Sequence, residues 1–244
     1  MLGKRVCLQQ YFPIDDEIVY RYMPFYKFED LASSKELYLS RGDKFDEEDS
    51  YEGNETKSGK ELRRVVHDSD AFDENTRLYE RNRRCVAINS WYVGDCESEA
   101  MWNKFAKETD GIAIRTQVGK IRFMLSSWDR YLCVRKVEYT ENHDGEFTKF
   151  GCPFFPFSIK RKREFANENE LRIIYGEGKG CIDGSQLYKA PEITDIKVRI
   201  PIDLSIFIGE IVLSPKSNIS VFTKVQKISK KAGLHVPIVR SRLV

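Results

Sequence analysis

Apolar and polar side chains alternate over Glu17–Met23, with Ile18, Tyr20 and Tyr22 on one side and Val19 and Arg21 on the other, which predicts a strand. Phe28–Lys35 reads as a short helix and Glu36–Ser40 as a second strand. Cys85–Trp91 predicts another strand. A helix is expected over Asp95–Ala106, with Asp95 as its cap, Glu97 and Glu99 at its positive end and Met101, Trp102 and Phe105 as its apolar face. Strand Gly111–Thr116 follows, then a helix marked by Val118, Ile121, Leu125 and Trp128, and a strand over Tyr131–Tyr139. Later strands are expected at Glu168–Tyr175, Asp195–Ile200, Ile206–Leu213 and His235–Val239. Between the last two, Ser217 or Asn218 caps a helix with Val221, Val225, Ile228 and Ala232 on one face, stopped at Gly233.

The pattern breaks at Gly42–Glu61, which holds eight acids against three lysines and few apolar residues. It reads as a solvated loop or mobile insertion. No internal repeat or long Pro/Gly/Ser linker divides the 244 residues. One α+β domain spanning 1–244 is therefore expected, with a central mixed or antiparallel sheet and flanking helices.

Composition narrows the class. At 41% hydrophobic and 12% aromatic, the chain carries enough apolar side chains for a packed core, so general disorder is excluded. No apolar run reaches the length of a membrane helix, and Met1–Gln10 lacks the apolar core of a secretory leader, so a cytoplasmic protein without membrane partners is expected. Forty basic against 38 acidic residues give +2, too little to coat nucleic acid by bulk charge. The six cysteines form no CxxC pair and the three histidines match no zinc spacing, so reduced thiols and no metal site are expected. Phosphate-binding glycine loops, GxSxG and HExxH are also missing, which disfavours nucleotide kinases, dinucleotide dehydrogenases, α/β-hydrolases and zinc proteases.

The most informative stretch is Asn167-Glu168-Asn169-Glu170-Leu171-Arg172-Ile173-Ile174-Tyr175. On a strand, Glu168, Glu170 and Arg172 share one face, with successive carboxylates about 7 Å apart. Titratable groups clustered in this way mark a candidate site, although a surface Glu170–Arg172 pair with Glu168 in solvent has the same pattern. Arg21, between two tyrosines, needs either a carboxylate or an anionic ligand, and its planar fork suits phosphate. Ser40 either orients a ligand or starts the turn at Arg41-Gly42. Lys160–Arg163 is a solvated charge run or a phosphate contact, and Phe154–Phe157 either packs over the sheet or faces a substrate.

Three groups of residues resemble the bacterial and phage domain-of-unknown-function family 2971. They are Tyr20-Arg21-Tyr22 with Glu36-Leu37-Tyr38-Leu39-Ser40; Ala87-Ile88-Asn89-Ser90 with Ala100-Met101-Trp102-Asn103-Lys104-Phe105 and Gly111-Ile112-Ala113-Ile114; and Lys160-Arg161 through Phe165 to Glu168–Ile174. Phe45-Asp46-Glu47-Glu48 stands where that family usually has an Asn-Asp-Pro-Phe turn. Arginine, serine and a late Glu-x-Glu, in that order, also resemble the arginine-serine-glutamate type of ADP-ribosyltransferase, although Ser40 lacks the usual Ser-Thr-Ser surroundings.

This second resemblance implies an ADP-ribosyltransferase-like fold and NAD as substrate. Arg21 would bind a phosphate, Ser40 would orient the ribose, and Glu170 would stabilise the positive charge developing on that ribose. Glu168 would activate the acceptor, while Tyr22, Tyr38 and Arg172 would complete the dinucleotide-binding set. It further implies a protein or nucleic-acid acceptor, a role as toxin or phage-defence effector, and an antitoxin or regulatory partner. Two rival readings are a metal-dependent nuclease using Glu168 and Glu170, and a non-catalytic interaction module in which Glu-x-Glu-x-Arg is an ion-pair ladder.

Overall fold

The computed structural model describes residues 13–45, 81–107, 109–128, 131–140, 155–177, 191–194 and 197–243, with the single residues 53, 61, 65 and 77. Most of the acidic segment 42–61 lies outside these, as do Pro153 and Phe154 and the side chains of residues 161–163.

The alternating segments form the expected strands: β1 (Ile18–Met23), β2 (Glu36–Arg41), β3 (Val86–Val93), β4 (Ile112–Gln117) and β5 (Tyr131–Lys136). These are followed by β6 (Glu138–Thr140), β7 (Ile159–Arg161), β8 (Glu170–Gly176), β9 (Lys197–Pro201), β10 (Glu210–Leu213) and β11 (Ile238–Arg240). Nine strands make one sheet and β6 and β7 a separate parallel pair. The large sheet is antiparallel except for the parallel β10–β11 ladder. Mixed sheet and helices together make an α+β domain.

β3 organises the sheet. One edge pairs with β8 along its whole length, from Val86↔Gly176 to Tyr92↔Glu170, and β8 in turn pairs with β5. The other edge is shared. β2 pairs with its beginning (Ser40↔Ile88, Arg41↔Ala87) and β1 with its end (Tyr20↔Tyr92, Val19↔Val93). Among the described ladders, Asn89–Trp91 has no strand partner on that edge, so β1 and β2 diverge there as a fork.

Cα partners present their side chains to the same face. Val19, Trp91, Ile114, Leu171 and Ile173 therefore lie on one face, where the largest hydrophobic cluster forms. It is covered by α1 (Phe25–Ser34), α3 (Val118–Ser126), α5 (Leu204–Phe207) and α6 (Ile219–Ala232), with Trp91 edge-on to Phe207 at 5.5 Å, while the short α4 (Lys162–Phe165) follows β7. The opposite face carries two smaller clusters. Tyr20, Tyr22 and Ala113 pack under Met101 and Trp102 of α2 (Glu99–Phe105), and Val86, Ile88 and Ile174 pack under Phe157 and Ile159. Between them lies a polar strip containing Ser90, Glu170 and Arg172.

Several expectations are corrected. Helix α2 starts at Glu99 because Ser98, rather than Asp95, accepts from the Met101 amide at 3.3 Å. Glu97 instead accepts from Trp102 Nε1 at 2.9 Å and from the Arg242 amide at 2.9 Å. The strand expected over Tyr131–Tyr139 divides at Val137, whose amide donates to the Glu170 carbonyl. The first part of Ile206–Leu213 belongs to α5, capped by Asp203, and only Glu210–Leu213 is strand. Helix α6 follows its sequence signals: Asn218 accepts from the amides of Ser220 and Val221, and Gly233 (φ 73°) ends it.

Candidate functional site

Asn169 determines the start of β8. It adopts the left-handed region (φ 34°), which asparagine tolerates, and its side-chain amide donates to the Val93 carbonyl at 2.6 Å. The strand therefore begins at Glu170, and Glu168 lies in a 3-10 turn over Ala166–Glu168. The strict alternation expected for Glu168–Tyr175 is lost at this point.

The carboxylates nevertheless converge. Glu170 is held by Arg172 in a two-point pair, Nε to Oε1 and Nη2 to Oε2, both 2.9 Å. Lys160 Nζ lies 2.7 Å from Glu168 Oε2 and 3.1 Å from Glu170 Oε2. Lys104, from α2, pairs with the other oxygen of Glu168. Arg172 also donates to the Phe157 carbonyl at 2.7 Å, and the Glu170 amide donates to the Tyr139 hydroxyl at 2.8 Å. Glu168, Glu170, Arg172 and Lys160 are all buried, which excludes the surface-pair reading and corrects the solvated-run reading for Lys160. Burial alone would raise the Glu170 pKa. The charges of Arg172 and Lys160, with hydrogen bonding from Arg172 and more weakly from the Ser90 hydroxyl, hold it down to about 2 instead.

Arg21 is placed differently. Its register with Ile114 puts its Cβ on the face opposite Glu170. Its head, however, turns into the fork, where Nη1 donates to the Ser90 carbonyl at 3.0 Å. No carboxylate lies within ion-pairing distance of it among the described residues. Burial pushes its pKa down to about 10, opposed by the neighbouring Tyr38 phenol, yet part of its surface still meets solvent. The guanidinium is thus closely surrounded by protein while part of the residue stays accessible to solvent. Ser90 and Tyr38, also partly exposed, border it.

Asn89 holds the fork open. Its amide donates to the Tyr38 carbonyl at 2.6 Å, and its oxygen accepts from Trp91 Nε1 at 2.6 Å. Ser90 then joins the two halves, with its carbonyl on Arg21 and its side chain on the Glu170 face. Guanidinium and carboxylate consequently lie within roughly 12 Å of one another.

Arg21, Tyr38, Glu170 and Arg172 are thus gathered around Ser90. Ser40 is not. It pairs with Ile88 on the Glu170 face, but strand spacing and rise put it about 16 Å from Glu170. Tyr22 is buried against Trp102, with ring centroids 4.9 Å apart, and its hydroxyl accepts from the Ser98 amide at 2.8 Å. Glu168 is bound by two lysines. Lys160 belongs to the run read as a solvated face or a phosphate contact, whereas Ser90, Asn89 and Lys104 stand out as site residues only in the folded chain.

No protein-family model and no curated protein matches this sequence. Among the described residues, no three His, Cys, Asp or Glu side chains are grouped to hold a metal ion, and no helix is long and apolar enough to cross a membrane.

Proposed function

We propose that the fork binds NAD and that the chain transfers ADP-ribose from it to a protein or nucleic-acid acceptor. The observation that carries this reading is Arg21, a half-buried cation that the described residues leave without a counter-ion, joined through Ser90 to an ionised glutamate. The guanidinium offers its free N–H groups to the pyrophosphate. Glu170 supplies a fixed negative charge on the ribose side. Among its partners, the Ser90 hydroxyl is neutral and the weakest, so a ribose hydroxyl replaces it at least cost.

In the reaction the bond between ribose C1′ and the nicotinamide nitrogen breaks, and nicotinamide leaves with the electron pair. Positive charge grows on the ribose, where a preorganised carboxylate favours the transition state over the ground state. The acceptor then bonds to C1′ and releases its proton to solvent water. Ser90 takes the ribose-orienting role that the resemblance assigned to Ser40. Glu168, tied to two ammonium groups, is not assigned that step.

The test is incubation of the full chain with NAD labelled in the ADP-ribose part, with and without cell lysate. Nicotinamide release and label transfer are followed for the wild type, Glu170→Gln and Arg21→Met. The proposal expects release by the wild type and at least a hundredfold loss in both variants. No release by the folded wild type, or unchanged release in Arg21→Met, overturns it. If Glu170→Gln alters stability while leaving release intact, the buried charges are a structural ladder only.

A further inference from the structure

We infer that Lys160 is a positioning residue for the same site: its ammonium bridges Glu168 and Glu170 and holds Glu170 fixed in orientation. This rests on the reading above for its catalytic consequence, although the bridge itself stands on geometry.

The two carboxylate oxygens lie 2.7 and 3.1 Å from one nitrogen, and hence within about 6 Å of each other. Both side chains are buried, and two carboxylates that close in a low-dielectric setting do not both remain charged without a cation between them. Arg172 neutralises Glu170 alone. Lys104 reaches Glu168 from the partly exposed side, where water weakens its field. Lys160 is the cation common to both acids, and with its side chain only 8% exposed it acts at nearly full strength.

Its placement has a structural cause. Lys160 lies on β7, which is paired with β6 and outside the nine-stranded sheet that bears Glu170. Its neighbour Ile159 is anchored in the apolar cluster with Val86, Ile88 and Ile174, and the Phe165 ring lies 4.9 Å from its ammonium. The lysine therefore holds the carboxylate from a direction that Arg172, a residue of the same strand as Glu170, cannot supply. Tyr139 and Ser90 also face Glu170. Neither carries a charge at neutral pH that could replace the ammonium. Arg135, opposite Arg172 in register, adds positive field from β5.

Removing the ammonium leaves Glu170 with Arg172 and Glu168 with the more exposed Lys104, and takes away the cation between the two carboxylates. The experiment compares wild type, Lys160→Met and Lys160→Arg by carboxyl-carbon NMR titration of Glu168 and Glu170, and by the pH profile of nicotinamide release. In Lys160→Met, one carboxyl is expected to titrate at least two units higher than in the wild type. The acidic limb of kcat should move upward by the same amount while KM for NAD changes less than threefold. Lys160→Arg should restore most of both. Should the NAD reading fail, the NMR titration still decides the bridge: unchanged carboxyl titration in folded Lys160→Met overturns the inference. If the titration shifts while the release profile and kcat of an active enzyme stay put, the positioning role is overturned and only a structural one remains. Should Lys160→Met fail to fold, Lys160→Gln and Lys160→Arg carry the comparison by the same readouts.

Discussion

Arg21 donates its guanidinium to the carbonyl of Ser90 at 3.0 Å, across the stretch of β3 that β1 and β2 leave unpaired. This contact joins two strands where ladder hydrogen bonds are missing, and it satisfies one of the five N–H groups of the arginine. The remainder of the guanidinium has no carboxylate partner among the described residues. A side chain retained for stability alone would be expected to pair more completely.

Arg21→Met should therefore cost little stability, within about 1 kcal/mol, because one hydrogen bond to a neutral carbonyl is lost while a desolvated charge is removed. Affinity for ADP-ribose should fall about 10- to 100-fold, the weight of a hydrogen bond to a charged group. Thermal unfolding and calorimetric titration of the two proteins measure both. A large stability loss with unchanged affinity would assign Arg21 to the sheet rather than to a ligand.

Asn89 should behave in the opposite way. Replacing it with leucine leaves the Tyr38 carbonyl and the Trp91 indole N–H without the partners they now have, at 2.6 Å each. An unsatisfied buried polar group costs about 1–3 kcal/mol, so Asn89→Leu should destabilise by about 2–4 kcal/mol in denaturant titrations. Amide exchange should rise over β2, because this side chain ties β2 to β3 where the two strands separate.

The strands and helices were legible wherever the determinants were local. Alternation in IVYRYM marked β1, and Asn218, the steps to Val221 and Val225, and Gly233 marked α6. The site was only partly legible because its geometry depends on long-range register. Glu170 and Arg172 were visible two residues apart, but that Ser90 lies opposite Arg172 follows from how β3 meets β8. Lys160 looked like one member of a charged run, since nothing in Lys-Arg-Lys-Arg separates the buried cation from its neighbours. Asn169 concealed the exit of Glu168 from the strand, because asparagine is ordinary in strand-flanking positions and turns only with φ > 0. The fork itself exists because two strands share one edge of a third, and no window of sequence contains all three.

Acid should weaken the fold through Glu170. Its folded pKa, about 2, lies below the ordinary value of 4.5, so its ionised form contributes stability above about pH 4.5. That contribution fades as pH falls toward 2 and the carboxylate becomes protonated. Urea midpoints measured from pH 6 down to pH 2 should decline steeply below 4.5 in the wild type. The decline should be shallower in Glu170→Gln, which starts from a lower plateau. Parallel curves for the two proteins would show that other carboxylates govern acid unfolding.

The pair at the centre can be separated from its neighbours. Arg172 is fully buried and bound at two points to Glu170, so Arg172→Met alone strands a carboxylate inside the protein and should cost about 3–5 kcal/mol. Lys160 softens that loss by holding one oxygen of Glu170. Glu170→Leu alone leaves the guanidinium with the Phe157 carbonyl as its stated acceptor and should cost a similar amount. In the double variant neither charge remains, while Lys160 and Lys104 still face Glu168. Replacing a buried ion pair with apolar groups of similar volume is often neutral, so the double variant should be more stable than either single variant. Yet the double variant should show no nicotinamide release even where its stability approaches that of the wild type. A stable double variant that still cleaves NAD would move the chemistry away from Glu170; a stable, inactive one would show that the charges cost the fold more than they contribute and are kept for the reaction.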